Sequence, residues 1–239
     1  MNIALITAGG IGSRMNQDVP KQFLTVYNKP IIVYTLEAFQ NHPNIDAIIV
    51  ACLTGWEPIL EAYAKQYNIT KLKWIVPGGR NGQESIKNCL NKLEKSCQKD
   101  DVVLVHDGNR ALVTEDIISN SIVTCREKGS AIAVIPCTEV ILRTDDQATS
   151  NEALARDNLK RTQTPHTYTL EKLLWAHEEA EKRNITNSVA TCDLMIELGE
   201  KVYFSLGSEK NLKITTVDDI EIFKALLAAK DDNDGLKKC

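Results

Sequence analysis

The sequence predicts an α/β fold in which helices cover both faces of a mostly parallel sheet. Short apolar runs alternate along the chain with segments of helical periodicity, as in consecutive βαβ units. Polar loops, two of them rich in glycine, follow several apolar runs, and a parallel sheet gathers the carboxyl ends of its strands at one edge. The alternation stops between residues 138 and 161, where a short apolar run and a polar turn predict a protruding β-hairpin arm.

The predicted elements follow in chain order. Apolar or alternating runs predict strands at residues 3–7, 47–53, 73–76, 102–106, 131–136, 140–143, 202–206 and 211–216. Helical periodicity predicts helices near residues 31–40, 56–67, 84–95, 115–128, 170–183 and 189–198, and another from residue 217. We therefore expect one Rossmann-like domain over residues 1–239, with residues 138–161 as its arm.

Composition and charge exclude several classes of function. The chain of 239 residues is 43% hydrophobic and 25% charged, which is ordinary for a globular protein. Its net charge of -4 argues against a broad nucleic-acid surface. Residues 2–8 are too short to span a bilayer and follow no charged leader, so we expect a cytoplasmic protein without membrane or nucleic-acid partners. Seven cysteines without a Cys-x-x-Cys pair imply neither a disulfide framework nor a zinc site.

The first strand leads into a glycine-rich loop with two cations behind it. The residues concerned are Ala8, Gly9, Gly10, Gly12, Arg14 and Lys21. Glycine lets backbone N–H groups close on phosphate oxygens. A P-loop would need a Gly-Lys-Ser/Thr ending, and a dinucleotide loop would need a third glycine where Met15 stands. The pattern favours a nucleoside triphosphate attacked at its α-phosphate, and the competing interpretation is a plain turn with two solvated cations.

A second glycine-rich loop, residues 77–82, precedes a predicted helix with Ser85 in its first turn. Exposed N–H groups at a helix N-terminus can bind an anion or the polar edge of a base. Together with the first loop, this indicates base recognition. A plain loop with Ser85 near a helix start remains the alternative.

The third loop carries a carboxylate. Asp107 follows a buried strand, and Arg110 comes three residues later. Mg²⁺ takes few protein carboxylates and keeps waters and phosphate oxygens, so Asp107 is the candidate ligand; a structural pair with Arg110 is the alternative. His106 is expected to pack or to orient Asp107, because an ionised phosphate needs no base to attack. Lys213 lies in an alternating segment, where a lone lysine is usually a solvated edge residue.

These stretches together resemble the cytidylyltransferase family that contains 2-C-methyl-D-erythritol 4-phosphate cytidylyltransferase and ribitol-5-phosphate cytidylyltransferase. The similar stretches run in family order over essentially the whole chain, at residues 8–24, 78–90, 105–110, 164–165 and 211–216. The resemblance implies a nucleotide-diphospho-sugar transferase fold. It also implies transfer of CMP from CTP to a polyol phosphate, with Mg²⁺ as the cofactor and pyrophosphate as the product.

The resemblance further implies a role for each matching residue. Arg14, Lys21 and Lys213 would hold the triphosphate and stabilise the transition state, and Asp107 would hold Mg²⁺. The nucleotide would also contact the first glycine loop and Gly79, Ser85, Gly108 and Arg110. The acceptor would contact Arg156, Thr164 and position 140. In this family the arm embraces a second subunit, so a homodimer is expected in which Arg156 acts across the interface.

The acceptor half departs from the family pattern at several positions. In the nucleotide half, Ala111 stands where proline is usual. Val140 stands in place of a threonine, His166 in place of a glutamine, and Val189-Ala190 in place of Thr-Asp. Residues 53–56, 85–88 and 211–217 are more similar to the ribitol-5-phosphate branch. D-ribitol 5-phosphate, for a surface polymer, is therefore the expected acceptor, and 2-C-methyl-D-erythritol 4-phosphate, for isoprenoid precursors, is the alternative.

Two other classes of function compete with this interpretation. An NAD(P)-dependent oxidoreductase would need the third glycine and a ribose-binding acid about 20 residues after the loop, and Glu37 alone is near that position. A non-catalytic nucleotide-binding protein is supported only by the acceptor-side departures. The joint presence of Arg14, Lys21, Asp107 and Lys213 argues against it.

Overall fold

The computed structural model describes residues 1–10 and 19–236. The strands are β1 (Asn2–Ala8), β2 (Thr25–Val26), β3 (Lys29–Pro30), β4 (Ala47–Cys52), β5 (Leu72–Pro77), β6 (Val102–Asp107), β7 (Ser130–Pro136), β8 (Ile141–Arg143), β9 (Glu152–Leu154), β10 (Lys160–Thr169) and β11 (Phe204–Leu206). The helices are α1 (Ile31–Asn41), α2 (Glu57–Gln66), α3 (Gly82–Leu93), α4 (Glu115–Lys128), α5 (Leu170–Lys182), α6 (Thr191–Glu197) and α7 (Val217–Leu236). A short 3-10 helix covers Lys21–Phe23.

The central sheet has seven strands in the order β11-β7-β10-β6-β1-β4-β5. Strands β6, β1, β4 and β5 are parallel to one another, and so are β7 and β11. β10 lies between β6 and β7 and runs antiparallel to both. The predicted mostly parallel sheet is therefore confirmed, and the carboxyl ends of four neighbouring strands meet at one edge.

Helices cover both faces of the sheet, as predicted. One face packs against α1, α2 and α4, with Leu36, Phe39 and Ile118 in its core. The other packs against α3, α5 and α6, with Leu90, Leu173 and Met195 in its core. Every residue of β4 is buried, because a parallel strand in the middle of such a sandwich has no face open to water. A smaller cluster joins α7 to the start of α1.

Two local predictions fail for physical reasons. Residues 160–169 are not predicted as a strand because they are polar and contain Pro165, yet they form β10. The proline falls where the register with β7 shifts, between Thr162 and His166, so the ladder does not need its missing N–H. Conversely, residues 211–216 are not a strand. Leu212 and Ile214, two residues apart, both pack in the cluster with α7 while Lys213 between them is exposed, so the segment alternates without pairing with a strand.

The predicted hairpin arm is present. β8 pairs with β9 in a separate two-stranded sheet whose residues are mostly exposed. The Asp146 carboxylate closes the turn, accepting hydrogen bonds from the backbone N–H groups of Ala148 and Thr149 at 2.9 and 2.8 Å. No helix among the described residues is long and apolar enough to cross a membrane.

Candidate active site

The three loops singled out in the sequence meet at the carboxyl edge of the sheet. A Cβ atom on Gly78 would lie 3.0 Å from the Cα of Gly9, so the loops after β1 and β5 touch. A Cβ atom on Gly108 would lie 3.0 Å from the carbonyl oxygen of Thr7. Glycine is required at these contacts because any side chain would separate the loops. The predicted single crevice is thus formed by close backbone packing.

Gln22 holds the first glycine loop through the carbonyl groups of that loop, a role that the sequence did not reveal. Its buried side-chain amide donates hydrogen bonds to the carbonyl oxygens of Ala8 and Gly10, at 2.7 and 3.1 Å. Both carbonyls are thereby occupied, which leaves the N–H side of the loop for a ligand. A signal was available, since Gln22 directly follows Lys21 in the sequence. Gly12 and Arg14 lie outside the described residues, and half-buried Lys21 begins the 3-10 helix.

The second glycine loop caps helix α3 and is closed by Ser85. The Ser85 hydroxyl accepts a hydrogen bond from the N–H of Gly79 at 2.9 Å and donates one to the carbonyl of Asn81 at 2.8 Å. The Asn81 side chain caps the helix by accepting from the N–H of Glu84 at 2.9 Å. Gly79 has no room for a side chain, because its Cβ would lie 2.5 Å from the Cβ of Glu84. Ser85 therefore holds this loop in shape.

Asp107 lies at the end of β6 between two cations. Its two carboxylate oxygens accept hydrogen bonds from the Nε of Arg110 at 3.0 Å and the Nζ of Lys213 at 3.1 Å. Burial alone would raise the pKa of Asp107, but Lys213 and Arg110 outweigh it and hold the pKa at about 2. Asp107 is therefore ionised at neutral pH. The pair with Arg110 was the alternative open in the sequence, and Lys213 joins it from 106 residues away.

His106 and Thr164 fix the position of this cluster. The Thr164 hydroxyl lies 3.0 Å from the Nδ1 of His106 and accepts a hydrogen bond from the N–H of Asp107 at 3.1 Å. The Nε2 of His106 lies 3.1 Å from the carbonyl of Arg110. Complete burial lowers the pKa of His106 to about 4. This agrees with an orienting role for His106 instead of a proton-accepting one.

Gly108 and Arg110 have partners inside the protein. The N–H of Gly108 donates to the Thr7 carbonyl at 2.9 Å, and its carbonyl accepts from the Thr35 hydroxyl at 2.9 Å. Gly108 therefore leaves room for a nucleotide to approach, but its N–H group is already bound to Thr7 and is not available to donate to the nucleotide. Arg110 also donates through Nη1 to the carbonyl of Asn211 at 2.7 Å, which ties the segment of Lys213 to the cluster.

A cavity of about 220 Å³ opens beside this cluster and extends between the sheet and helices α3, α5 and α6. Its mouth contains Asp107, Arg110, Thr164 and Lys213, all predicted site residues. Further lining residues come from strands and helices together: Thr7, Gln83, Ile86, Val105, His166, His177, Thr191 and Leu194. The segment before α6 contributes Ser188, Val189 and Ala190 to the lining, and it is attached to α3 through the Gln83 side chain, which donates to the carbonyl of Ile185 at 2.7 Å.

The arm residues lie apart from this cavity. Val140 is 70% exposed, and the side chain of Arg156 is 59% exposed and reaches the carbonyl of Thr138 at 3.3 Å. Neither lines the cavity within this chain. The sequence assigned Val140 and Arg156 to the acceptor site. Within one folded chain, neither residue lines the cavity beside Asp107.

The site combines glycine loops, a neutral buried histidine and a carboxylate between cations at the carboxyl edge of an α/β sheet. This arrangement can bind an anionic nucleotide and stabilise charge that develops during displacement at phosphorus. The fold and site define a nucleotidyltransferase.

Comparisons with known proteins name the family. The family model described as IspD, 2-C-methyl-D-erythritol 4-phosphate cytidylyltransferase, matches residues 2–229. The chain belongs to this family and is a cytidylyltransferase.

Individual relatives carry two names. A ribitol-5-phosphate cytidylyltransferase of Lacticaseibacillus paracasei is 42% identical over 97% of this chain and 100% of its own length. A 2-C-methyl-D-erythritol 4-phosphate cytidylyltransferase of Clostridium botulinum is 37% identical, covering 95% of this chain and 97% of its own. The crystal structure of the Francisella tularensis 2-C-methyl-D-erythritol 4-phosphate cytidylyltransferase (IspD) is 29% identical, with a TM-score of 0.76 over 93% of this chain and 98% of that one.

Proposed function

We propose that this cytidylyltransferase transfers CMP from CTP to D-ribitol 5-phosphate, giving CDP-ribitol and pyrophosphate. The observation that carries the proposal is the cluster of Asp107, Arg110 and Lys213 at the mouth of a cavity beside two glycine loops. The name of the relative at 42% identity supports ribitol phosphate over methylerythritol phosphate, which belongs to a relative at 37%.

The reaction is a direct displacement. A phosphate oxygen of the acceptor attacks the α-phosphorus of CTP, and the bond from that phosphorus to the bridging oxygen of pyrophosphate breaks. The attacking phosphate is already ionised, so no side chain has to remove a proton, in keeping with the buried neutral His106. Acceleration comes from positioning and from cations matched to the growing charge.

Three cations divide this task. Lys21 and Arg14, which flank the first glycine loop in sequence, hold the triphosphate together with Lys213, which lies beside Asp107. Lysine acts here as a compact point charge. Gly79 and Ser85 shape the loop that receives cytosine. Thr164, already hydrogen-bonded to the backbone of Asp107, lines the path to the acceptor.

A divalent cation fits the donor set at Asp107. Each carboxylate oxygen accepts one hydrogen bond from a cation and keeps a lone pair, and the low pKa keeps the group ionised. No group of three or more potential ligands occurs among residues 1–10 and 19–236. A single carboxylate suits Mg²⁺, which binds through one or two carboxylates and substrate phosphates. Asp107 would hold the ion, which when bound supplies charge neutralisation to the triphosphate.

The arm is proposed to complete the acceptor site of a second copy of the chain. Arg156 and Val140 are exposed on a hairpin and lie away from the cavity of their own chain. A guanidinium can clamp a phosphate through two hydrogen bonds. In a homodimer with exchanged arms, Arg156 would bind the acceptor phosphate of the other subunit.

The experiment that tests the reaction is an assay of pyrophosphate release with CTP and Mg²⁺. D-ribitol 5-phosphate and 2-C-methyl-D-erythritol 4-phosphate are run side by side. We expect turnover with the first and at least a hundredfold lower kcat/KM with the second, about the discrimination that unpaired buried polar groups can provide. Turnover with methylerythritol phosphate alone would replace the proposed acceptor. Binding of CTP without pyrophosphate release from either would contradict the proposal.

A further inference from the structure

The cavity beside the active site has both exposed and buried lining residues, and the buried part is referred to as its closed end. Lys213 at the mouth is 43% exposed. At the closed end, His166 of β10, His177 of α5 and Thr191 of α6 are 3%, 5% and 4% exposed. The cavity therefore runs from the charged cluster at the strand ends into the layer between the sheet and the helices.

Two polar atoms at the closed end have no hydrogen-bond partner among the residues that the structure describes. They are the Nε2 of His166 and the hydroxyl oxygen of Thr191. Buried polar groups are nearly always paired, because leaving one unpaired costs folding free energy. Two such groups lining the same cavity indicate that a bound molecule supplies the missing partners.

The chemistry of the lining limits what that molecule can be. Burial lowers the pKa of His166 to about 4, so the ring is neutral and carries one donor and one acceptor nitrogen. The Thr191 hydroxyl can donate or accept. Ile86, Val105 and Leu194 supply apolar walls beside them. Such a surface suits hydroxyl groups on a short carbon chain and gives no charge to hold a phosphate.

We infer that His166 and Thr191 bind the hydroxyls of the acceptor's carbon chain and thereby select the acceptor. The inference rests on the proposed function and deepens it. The acceptor phosphate stays at the mouth with the cations, so the chain points inward and its terminal hydroxyl reaches the closed end. About 220 Å³ holds several water molecules at about 30 Å³ each, and a pentitol chain can replace them.

The chain offers a matched pair of variants for the test. Thr191→Val removes an unpaired buried hydroxyl that lines the cavity. Thr167→Val removes another unpaired buried hydroxyl, but Thr167 is paired in register with Leu104, which belongs to the core on the opposite face of the sheet. Both substitutions keep the shape of the side chain. The main difference between them is that Thr191 lines the cavity and Thr167 does not. His166→Leu provides a second variant on the cavity side.

Steady-state kinetics are measured with D-ribitol 5-phosphate and with its 1-deoxy analogue, which lacks the terminal hydroxyl. For Thr191→Val we expect KM for the acceptor to rise about tenfold, as for one lost hydrogen bond, while KM for CTP stays within about twofold. The preference of the wild type for the acceptor over its deoxy analogue should largely disappear. Thr167→Val should retain both the KM and the preference, and His166→Leu should behave like Thr191→Val.

The failure of this inference differs from the failure of the proposed function. Equal kinetics for Thr191→Val and Thr167→Val would overturn the inference while the wild type still turns over ribitol phosphate. A rise in KM for CTP instead would assign the cavity to the nucleotide and also overturn it. If the wild type uses methylerythritol phosphate only, the proposed acceptor is wrong, and the same two variants compared on that acceptor still decide what the cavity does.

Discussion

Asp107 is held between Arg110 and Lys213, and this pairing determines what the carboxylate can do. A pKa of about 2 leaves it ionised throughout the range in which the enzyme is assayed, so it acts as a fixed charge and never as an acid. The depressed pKa stabilises the folded state above the ordinary value of 3.8, and that contribution is lost as pH falls toward 2.

Lys213→Ala is expected to lower kcat by about a hundredfold or more, because one preorganised charge at the reacting phosphate is removed. The matched control is Lys210→Ala, which removes an exposed lysine three residues earlier that does not line the cavity. Its kcat should stay within about twofold of the wild type. Lys21→Ala should show a loss similar to that of Lys213→Ala. Unchanged turnover in Lys213→Ala or Lys21→Ala would contradict the catalytic assignment of the residue replaced.

Gln22→Leu is expected to raise KM for CTP about tenfold, because the carbonyls of Ala8 and Gly10 lose the amide that positions their loop. The control, Gln40→Leu, also removes an amide with two hydrogen bonds, but at the amino ends of the strands. It should leave KM for CTP unchanged. Equal KM values for the two variants would show that Gln22 does not position the nucleotide loop.

At the scale of elements, the loop between β5 and α3 is closely packed. The Ser85 hydroxyl and the Asn81 cap use its polar groups, and the backbone of Gly79 lies against Glu84. The sequence predicted the glycines and the helix start. It did not predict that the Ser85 hydroxyl would hydrogen-bond to Gly79 and Asn81, because that contact depends on how the backbone of the loop folds back toward the helix.

Gly79→Ala and Gly82→Ala distinguish the effect of a steric clash from the effect of losing a flexible glycine in this loop. A Cβ on Gly79 meets Glu84 at 2.5 Å, whereas a Cβ on Gly82 meets nothing within 4 Å. Gly79→Ala should raise KM for CTP at least tenfold and destabilise the protein by about 1–3 kcal/mol, as for overpacking. Gly82→Ala should leave KM unchanged and stability within about 1 kcal/mol. Thermal unfolding and CTP saturation curves measure both, and equal effects would contradict the packing argument.

β10 shows where element prediction from the sequence failed. Its polar residues are tolerated in the middle of the sheet because Thr164, Gln163 and His166 face the site or its cavity. Because these residues are polar, β10 has no apolar periodicity that would reveal it in the sequence. The segment around Lys213 failed in the opposite sense: Leu212 and Ile214 alternate with polar residues, but the segment pairs with no strand among the described residues.

At the scale of the whole molecule, the proposed exchange of arms can be tested by complementation. Arg156→Ala and Lys213→Ala chains with different tags are co-expressed, and the mixed dimers are isolated. Each mixed dimer should contain one intact site, made of Lys213 from one chain and Arg156 from the other, and so recover about half of the wild-type activity per dimer. Each variant alone should remain defective. Absence of recovery, or a monomeric protein in light scattering, would contradict arm exchange.

Buried histidines should make stability depend on pH. Burial lowers the pKa values of His106, His166 and His177 to about 4 from the ordinary 6.5. Between pH 4 and pH 6.5, the unfolded chain therefore binds more protons than the folded chain. Stability is fully present above pH 6.5 and falls as pH drops toward 4, by about 1.4 kcal/mol per pH unit for each histidine.

Thermal unfolding between pH 7 and pH 5 measures this effect. Tm should fall steeply across the range, and His177→Gln should make the slope shallower by about one proton. A Tm that is constant between pH 7 and pH 5 would show that the histidines are not buried in neutral form.

The sequence by itself determined the alternation of strands and helices, the arm and the nucleotide loops, because periodicity and glycine spacing are local properties of the chain. It also indicated the family, since Arg14, Lys21, Asp107 and Lys213 occur in order at characteristic distances along it. Tertiary structure alone decided that Lys213 reaches Asp107 across 106 residues and that Gln22 fixes the loop of Gly10. It also decided that polar β10 enters the sheet and leaves His166 and Thr191 unpaired in a cavity. These contacts join residues far apart in the chain, and only packing brings such residues together.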